Sequence, residues 1–219
     1  MQAVVTGANR GIGLELARRL NQQGARVLAA VRHASPELRD LGVELVEGVD
    51  VSLDAGVERL SRALGERQVD LLINNAGILQ RTRLEQLDWD SIEAQMRVNA
   101  FGPLRVVAAL QDRLPRGSKV AIVTSRMGSI ADNSSGSHYG YRMSKAAVNM
   151  AGVSLARDLA PRGVSVCLLH PGYVRTDMTG GRGNWNADEA AEALLARIDE
   201  LQLASTGSFW HANGEALPW

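Results

Sequence analysis

The chain is poor in cysteine, carries no excess of charge of either sign and contains no long apolar run. Cys167 is the single cysteine in 219 residues, which excludes a disulfide-stapled scaffold. Its place in the apolar stretch from Val164 to Leu169 reads as a small buried hydrophobe in a reducing compartment. The 24 Lys and Arg balance 24 Asp and Glu, a formal charge of zero. A partner held by bulk charge, such as nucleic acid or an acidic membrane surface, is therefore not expected. No stretch approaches the ~18 apolar residues of a membrane span, and the N-terminus lacks a charged region followed by an apolar one. The expected location is cytoplasmic. With 45% hydrophobic and 22% charged residues, the chain excludes disorder and is long enough for one α/β domain to bury a full core.

What is present is an alternation. Short β-branched runs at Ala3 to Thr6, Arg26 to Val31, Val43 to Gly48, Leu71 to Asn74, Val120 to Thr124 and Ser165 to Leu169 read as strands, with Ser208 to His211 a candidate seventh. Between them Ile12 to Gln22, Asp54 to Leu64, Asp90 to Leu114, Tyr141 to Leu159 and Ala187 to Leu201 place apolar residues three and four apart, as helices do. Strand-helix alternation predicts a mainly parallel sheet of six to seven strands with helices on both faces. Asn186 ahead of Ala187, Asp188 and Glu189 reads as a helix cap, and Gly24, Gly65 and Gly163 punctuate helix ends. No repeat, linker or composition shift divides residues 1–219, so one doubly wound domain is expected.

The first strand runs into Thr6-Gly7-Ala8-Asn9-Arg10-Gly11-Ile12-Gly13, which opens the first helix. Backbone N–H groups and a positive helix end then face the turn, and a pyrophosphate is the natural occupant. Gly7 and Gly11 permit the tight turn and close phosphate approach, and Gly13 lets helix and strand pack closely, which makes the domain Rossmann-type. The Gly-Lys-Ser/Thr of a nucleotide triphosphate loop is missing, so phosphoryl transfer is excluded.

The second strand ends Ala29-Ala30-Val31-Arg32-His33, with no carboxylate to take a ribose 2′-hydroxyl. Arg32 stands where a 2′-phosphate would be clamped, and Arg10 can approach from the other side. NADP(H) is therefore preferred, with NAD(H) possible. Asp50 and Val51 are expected near the adenine. Tyr141-Arg142-Met143-Ser144-Lys145 sets a phenol and an ammonium four apart, on one helix face. A fixed cation favours phenolate, so this tyrosine can exchange a proton with an alcohol or carbonyl oxygen. Tyr139 is a rival, but Met143, four residues on, gives it no charge.

Taken in order, these motifs resemble the short-chain dehydrogenase/reductase family over essentially the whole chain, and its compact C-factor-like and sniffer-like carbonyl reductase branch in particular. The resemblance rests on Thr6-Gly7-x-x-x-Gly11-x-Gly13, Asn74-Asn75-Ala76-Gly77, Asn99, Ser125, Tyr141-x-x-x-Lys145 and Pro171-Gly172. It implies that Tyr141 is the proton donor or acceptor and that Ser125 orients the substrate oxygen. Lys145 would both lower the Tyr141 pKa and bind the nicotinamide ribose, and Asn99 would hold a water in a proton relay. Asn74, Asn75, Ala76 and Gly77 would line the cofactor, and Pro171, Gly172, Val174 and Thr176 would wrap its nicotinamide end. It also implies a homodimer or tetramer built on the Asp90 to Leu114 and Tyr141 to Leu159 helices, with Ala147, Ala151 and Gly152 allowing close approach.

Sixteen positions separate Ser125 from Tyr141, a little more than is common in the family the chain resembles, so the resemblance implies a small insertion in the loop Ser129 to Gly140 beside the pocket. A brief lid is expected around residues 173–186. His138 and His170 read as structural, and Trp89, Trp185, Trp210 and Trp219 as packing residues, with Trp185 able to double as pocket wall. Two functions fit. One is an oxidoreductase acting on a small carbonyl or alcohol. The other is a signalling or redox-sensing protein that binds NAD(P) with little turnover; the intact Asn99, Ser125, Tyr141 and Lys145 set favours the enzyme. A methyltransferase leaves the Tyr-Lys pair unexplained. For the substrate, Leu79, Met127, Tyr173 and Trp185 suggest apolar walls, whereas Arg81, Arg83, Arg126 and Arg175 leave room for an anion.

Overall fold

Successive residues of each strand point to opposite faces, and here they feed two separate cores. The computed structural model describes residues 1–219. Its strands are β1 (Gln2–Thr6), β2 (Arg26–Ala30), β3 (Glu44–Val46), β4 (Leu71–Asn74), β5 (Lys119–Val123), β6 (Ser165–His170) and β7 (Ser208–His211). They form one sheet in the order β3-β2-β1-β4-β5-β6-β7, parallel at every pairing. The helices are α1 (Gly11–Gln22), α2 (Pro36–Arg39), α3 (Asp54–Leu64), α4 (Trp89–Met96), α5 (Gly102–Leu110), α6 (Tyr139–Leu159) and α7 (Ala187–Glu200).

On one face Ala3, Val5, Ile73 and Ala121 pack under Leu16 and Leu20 of α1 and Leu194 and Ile198 of α7. On the other, Val4, Leu72, Val120 and Ile122 pack under Leu60 of α3, Val106 and Leu110 of α5 and Val148 of α6. Both layers are needed because a parallel sheet buries both faces. Cys167 lies fully buried in the first layer, and burial pushes its thiol up to about 12, which makes it inert. No helix is long and apolar enough to cross a membrane.

The chain winds outward from β1 to β3, then returns to lay β4 on the other side of β1. The crevice at the carboxyl ends of β1 and β4 is the place where such sheets bind ligands.

Two expectations need correction. The single helix read over Asp90 to Leu114 is α4, a π-helical turn at Arg97–Phe101, α5 and a 3-10 turn at Gln111–Arg113. Pro103 has no N–H to give the carbonyl of Asn99 four residues back, and the π turn absorbs the break. The short helix α2 was not expected; Pro36 opens it, and the Ser35 hydroxyl accepts from the Leu38 N–H at 3.2 Å. At α7 the Asn186 N–H donates to the Glu189 carboxylate at 2.7 Å, the reciprocal half of a capping box.

Candidate active site

Sequence brings a threonine to the end of β1 and an asparagine to the end of β4, and across the crevice they bind the two turns together. The Thr6 hydroxyl accepts from the N–H groups of Asn75 at 3.1 Å and Ala76 at 3.2 Å. In return the Asn75 amide donates to the carbonyls of Thr6 and Gly7, each at 3.1 Å. Gly7 sits at φ +67°, and a Cβ there would lie 2.8 Å from the Ala76 Cα; a Cβ on Gly13 would lie 2.2 Å from the Gly7 carbonyl oxygen. No side chain caps α1, whose N-cap is Arg10, so its first N–H groups stay open to a ligand.

These turns wall a cleft of about 450 Å³. Gly7, Asn9, Arg10, Gly11, Ile12 and Gly13 line it from the first turn, Arg32 from the end of β2, Asp50 and Val51 from beyond β3, and Asn75, Ala76 and Gly77 from beyond β4. Thr176 closes the far side, against Gly11. Arg32 forms no ion pair. The Asp50 carboxylate is held by the Ser52 N–H at 2.9 Å and the Ser52 hydroxyl at 2.6 Å. An open helix N-terminus, glycines too close-packed for any Cβ and a free arginine without a carboxylate beside it fit a dinucleotide with a phosphorylated ribose.

Six of the expected cofactor contacts, Asn74, Tyr141, Lys145, Pro171, Gly172 and Val174, do not line this cleft. Asn74 is buried at the end of β4 with its amide nitrogen unpartnered. Beyond β6, Val174 bridges to Trp185, and a Cβ on Gly172, at φ +89°, would lie 3.6 Å from the His211 and Trp185 rings. Arg175, Asp177 and Met178 line the cleft beside Thr176 instead. Arg10 lines the cleft, and its exposed guanidinium reaches Asp177 at 3.0 Å. That pair spans 167 positions, and no local pattern announces it.

The chemical groups converge behind the cleft. Ser125, Tyr141 and Lys145 are buried, whereas Tyr139 is exposed. Ser125 caps a short 3-10 turn, its oxygen accepting from the Met127 N–H at 3.1 Å, so its own O–H is free to donate. Lys145 donates from Nζ to the Val123 carbonyl at 2.9 Å and lies 5.7 Å from the centre of the Tyr141 ring. A Cβ on Gly77 would meet the Asn99 Oδ1 at 3.3 Å and the Lys145 Nζ at 3.8 Å, so this group adjoins the cleft wall.

Burial pushes the Tyr141 phenol up to about 12, and the Ser125 hydroxyl, in hydrogen-bonding position, pulls the other way. Burial also brings the Lys145 ammonium down to about 8. The expected lowering of the Tyr141 pKa is therefore corrected to a rise: desolvation outweighs the Ser125 hydrogen bond, and the phenol keeps its proton at neutral pH.

The Asn99 side chain is fully engaged within the protein. Its Oδ1 accepts from the Ile78 N–H at 2.8 Å, and its Nδ2 donates to the Ile78 carbonyl at 2.8 Å and the Ser144 hydroxyl at 3.0 Å. His170 is held neutral, down to about 3, by burial and by His211 at 4.9 Å. Among the tryptophans Trp185 packs 6.0 Å from His211 and Trp219 stacks on Phe209, whereas Trp89 is 67% exposed.

Residues 1–187 match the family model for short chain dehydrogenase. The chain belongs to that family. This short-chain dehydrogenase is 40% identical to the 1-hydroxy-2-glutathionyl-2-methyl-3-butene dehydrogenase of Rhodococcus sp. (strain AD45), over 99% of this chain and 98% of the relative. It is 44% identical to the C-signal protein of Myxococcus xanthus, over 69% of this chain and 93% of that one. Among solved structures it resembles the NADPH-bound carbonyl reductase from chicken fatty liver with a TM-score of 0.91, at 26% identity over 100% of this short-chain dehydrogenase and 98% of that chain.

Proposed function

We propose that the chain is an NADP(H)-dependent oxidoreductase acting on a carbonyl or alcohol, with Tyr141 as the acid or base. The observation that carries the reading is the buried Ser125, Tyr141 and Lys145 group beside a cleft whose β2 edge offers Arg32 and no acid. The glycine turn and the N-terminus of α1 would hold the pyrophosphate, Arg32 the 2′-phosphate and Lys145 the nicotinamide ribose. When bound, the cofactor supplies or accepts the hydride. In reduction Tyr141 gives its proton to the substrate oxygen while the free Ser125 O–H donates to the same atom. A water on the Asn99 carbonyl would link Lys145 to solvent and return the proton. Residues 173–186 would act as a lid over a single catalytic domain.

The similarity to C-signal keeps a second reading in view, a nucleotide-binding signalling protein with little turnover. A panel of aldehydes, ketones, quinones and alcohols, run with both cofactors and followed at the nicotinamide absorbance, separates the two. The Rhodococcus relative is named for a hydroxy substrate bearing a glutathionyl group, so an alcohol of that kind belongs in the panel. Turnover with NADPH supports the enzyme; tight NADPH binding without turnover across the panel supports the second reading.

A further inference from the structure

Of the four arginines near the expected substrate end, two are already spent. Arg126 pairs with Glu215 and Asp132, both at 3.0 Å, and Arg175 donates to the Asn186 side chain at 3.0 Å. Arg81 and Arg83 are exposed and have neither an ion pair nor a side-chain hydrogen bond in the protein.

Their placement follows from tethers on the stretch that leaves the cleft. Ile78, in the cleft wall, is clamped by Asn99, the Gln80 N–H donates to Gln95 at 3.0 Å, and the Thr82 carbonyl accepts from the His138 N–H at 2.8 Å. Thr82 is buried with its hydroxyl unpartnered, so the residues on either side of it turn outward together. His138 ends a strained turn, with Ser137 at φ 56° and His138 at φ 53°, three residues before Tyr141. Arg142 is tied under the same loop, donating to the Gly136 carbonyl at 3.0 Å and the Ser135 hydroxyl at 2.8 Å and bonded to no acid. The imidazole pKa of His138 is lowered by burial and then by the positive charges of Arg142, Arg81 and Arg83, which therefore face the same loop.

We infer that Arg81 and Arg83, backed by Arg142, bind an acidic group of the substrate, a carboxylate or phosphate some distance from the carbon that reacts. Guanidinium forks pair with both oxyanions. This rests on the reading of the protein as a carbonyl or alcohol oxidoreductase and narrows its substrate to an anionic one.

The test uses ω-oxo acids of graded length, their methyl esters and the matching ω-oxo phosphates, with the intact protein and NADPH. The expected result is an optimum length at which an acid or phosphate exceeds its ester in kcat/KM by about tenfold. The preference should shrink at high salt and vanish in Arg81→Gln/Arg83→Gln through KM, with ester kinetics and NADPH affinity unchanged. The carboxylate and phosphate arms tell which oxyanion is preferred. Equal rates for acid and ester at every length, or a preference untouched by the double substitution, would overturn the inference while leaving the oxidoreductase reading intact. If nothing is reduced, that reading fails, and calorimetry of the corresponding ω-hydroxy acids and esters on the two proteins still decides: acid binding lost in the double variant supports the site, and its absence in the parent protein rejects it.

Discussion

Lys145 sets its ammonium 5.7 Å from the centre of the Tyr141 ring, but hands its hydrogen bond to the Val123 carbonyl. Both groups are buried, and each is pushed toward its uncharged form, the tyrosine up to about 12 and the lysine down to about 8. Below pH 8 the site therefore holds an intact phenol and a charged lysine, the state suited to reduction. The kcat/KM for carbonyl reduction should be level below about pH 8 and fall above it as Lys145 loses its charge. A pH–rate profile flat to pH 10 would contradict this.

The same lysine should lower stability. Between its folded value of about 8 and its ordinary value of 10.5 the unfolded chain binds the extra proton, so its destabilising effect is complete below pH 8 and relieved as pH rises toward 10.5. Lys145→Met should raise stability at pH 7 by about 1 to 3 kcal/mol and remove that pH dependence, while abolishing turnover. Urea unfolding at pH 7 and pH 10 reads both effects.

Arg32 is the one cleft arginine without a partner, since Arg10 is engaged by Asp177. Arg32→Ala should weaken NADPH binding roughly ten- to a hundredfold and leave NADH binding nearly unchanged. Fluorescence titration with the two cofactors measures this. Equal loss for both would assign the effect to the fold of the cleft.

Exposed apolar side chains gather at Phe101 and along α5 and α6, namely Leu104, Met143 and Met150. Gly152 does not belong to that surface: it is buried, and a Cβ there would lie 2.7 Å from the Leu168 side chain. We propose that these apolar residues form a homodimer interface. Light scattering at micromolar concentration should give twice the chain mass, and Met150→Lys/Leu104→Lys should give the monomer.

The legible part of this protein is local. Period-two and period-three-to-four patterns are set by which face is buried, so the strands and most helices follow from the sequence. Gly7, Gly11 and Gly13 announce their turn because only glycine fits there. The spacing of Tyr141 and Lys145 is legible because a helix turns every 3.6 residues. Long-range pairings are not. Asp177 capturing Arg10, Glu215 capturing Arg126 and Asn99 clamping Ile78 each join segments far apart in sequence. The π turn was readable in principle from Pro103, whose missing N–H lies four residues after Asn99, but the apolar periodicity continues across it. The direction of the Tyr141 shift was missed because spacing reports a neighbouring charge and not the desolvation that opposes it.

The most direct test of the proposed role of Tyr141 is Tyr141→Phe, assayed with any carbonyl the parent protein reduces. The lost hydroxyl would act on the substrate oxygen in the transition state, so turnover should fall by about 10²- to 10⁴-fold while NADPH affinity stays within about twofold. A variant that keeps more than about a tenth of the parent rate would remove Tyr141 from the chemistry.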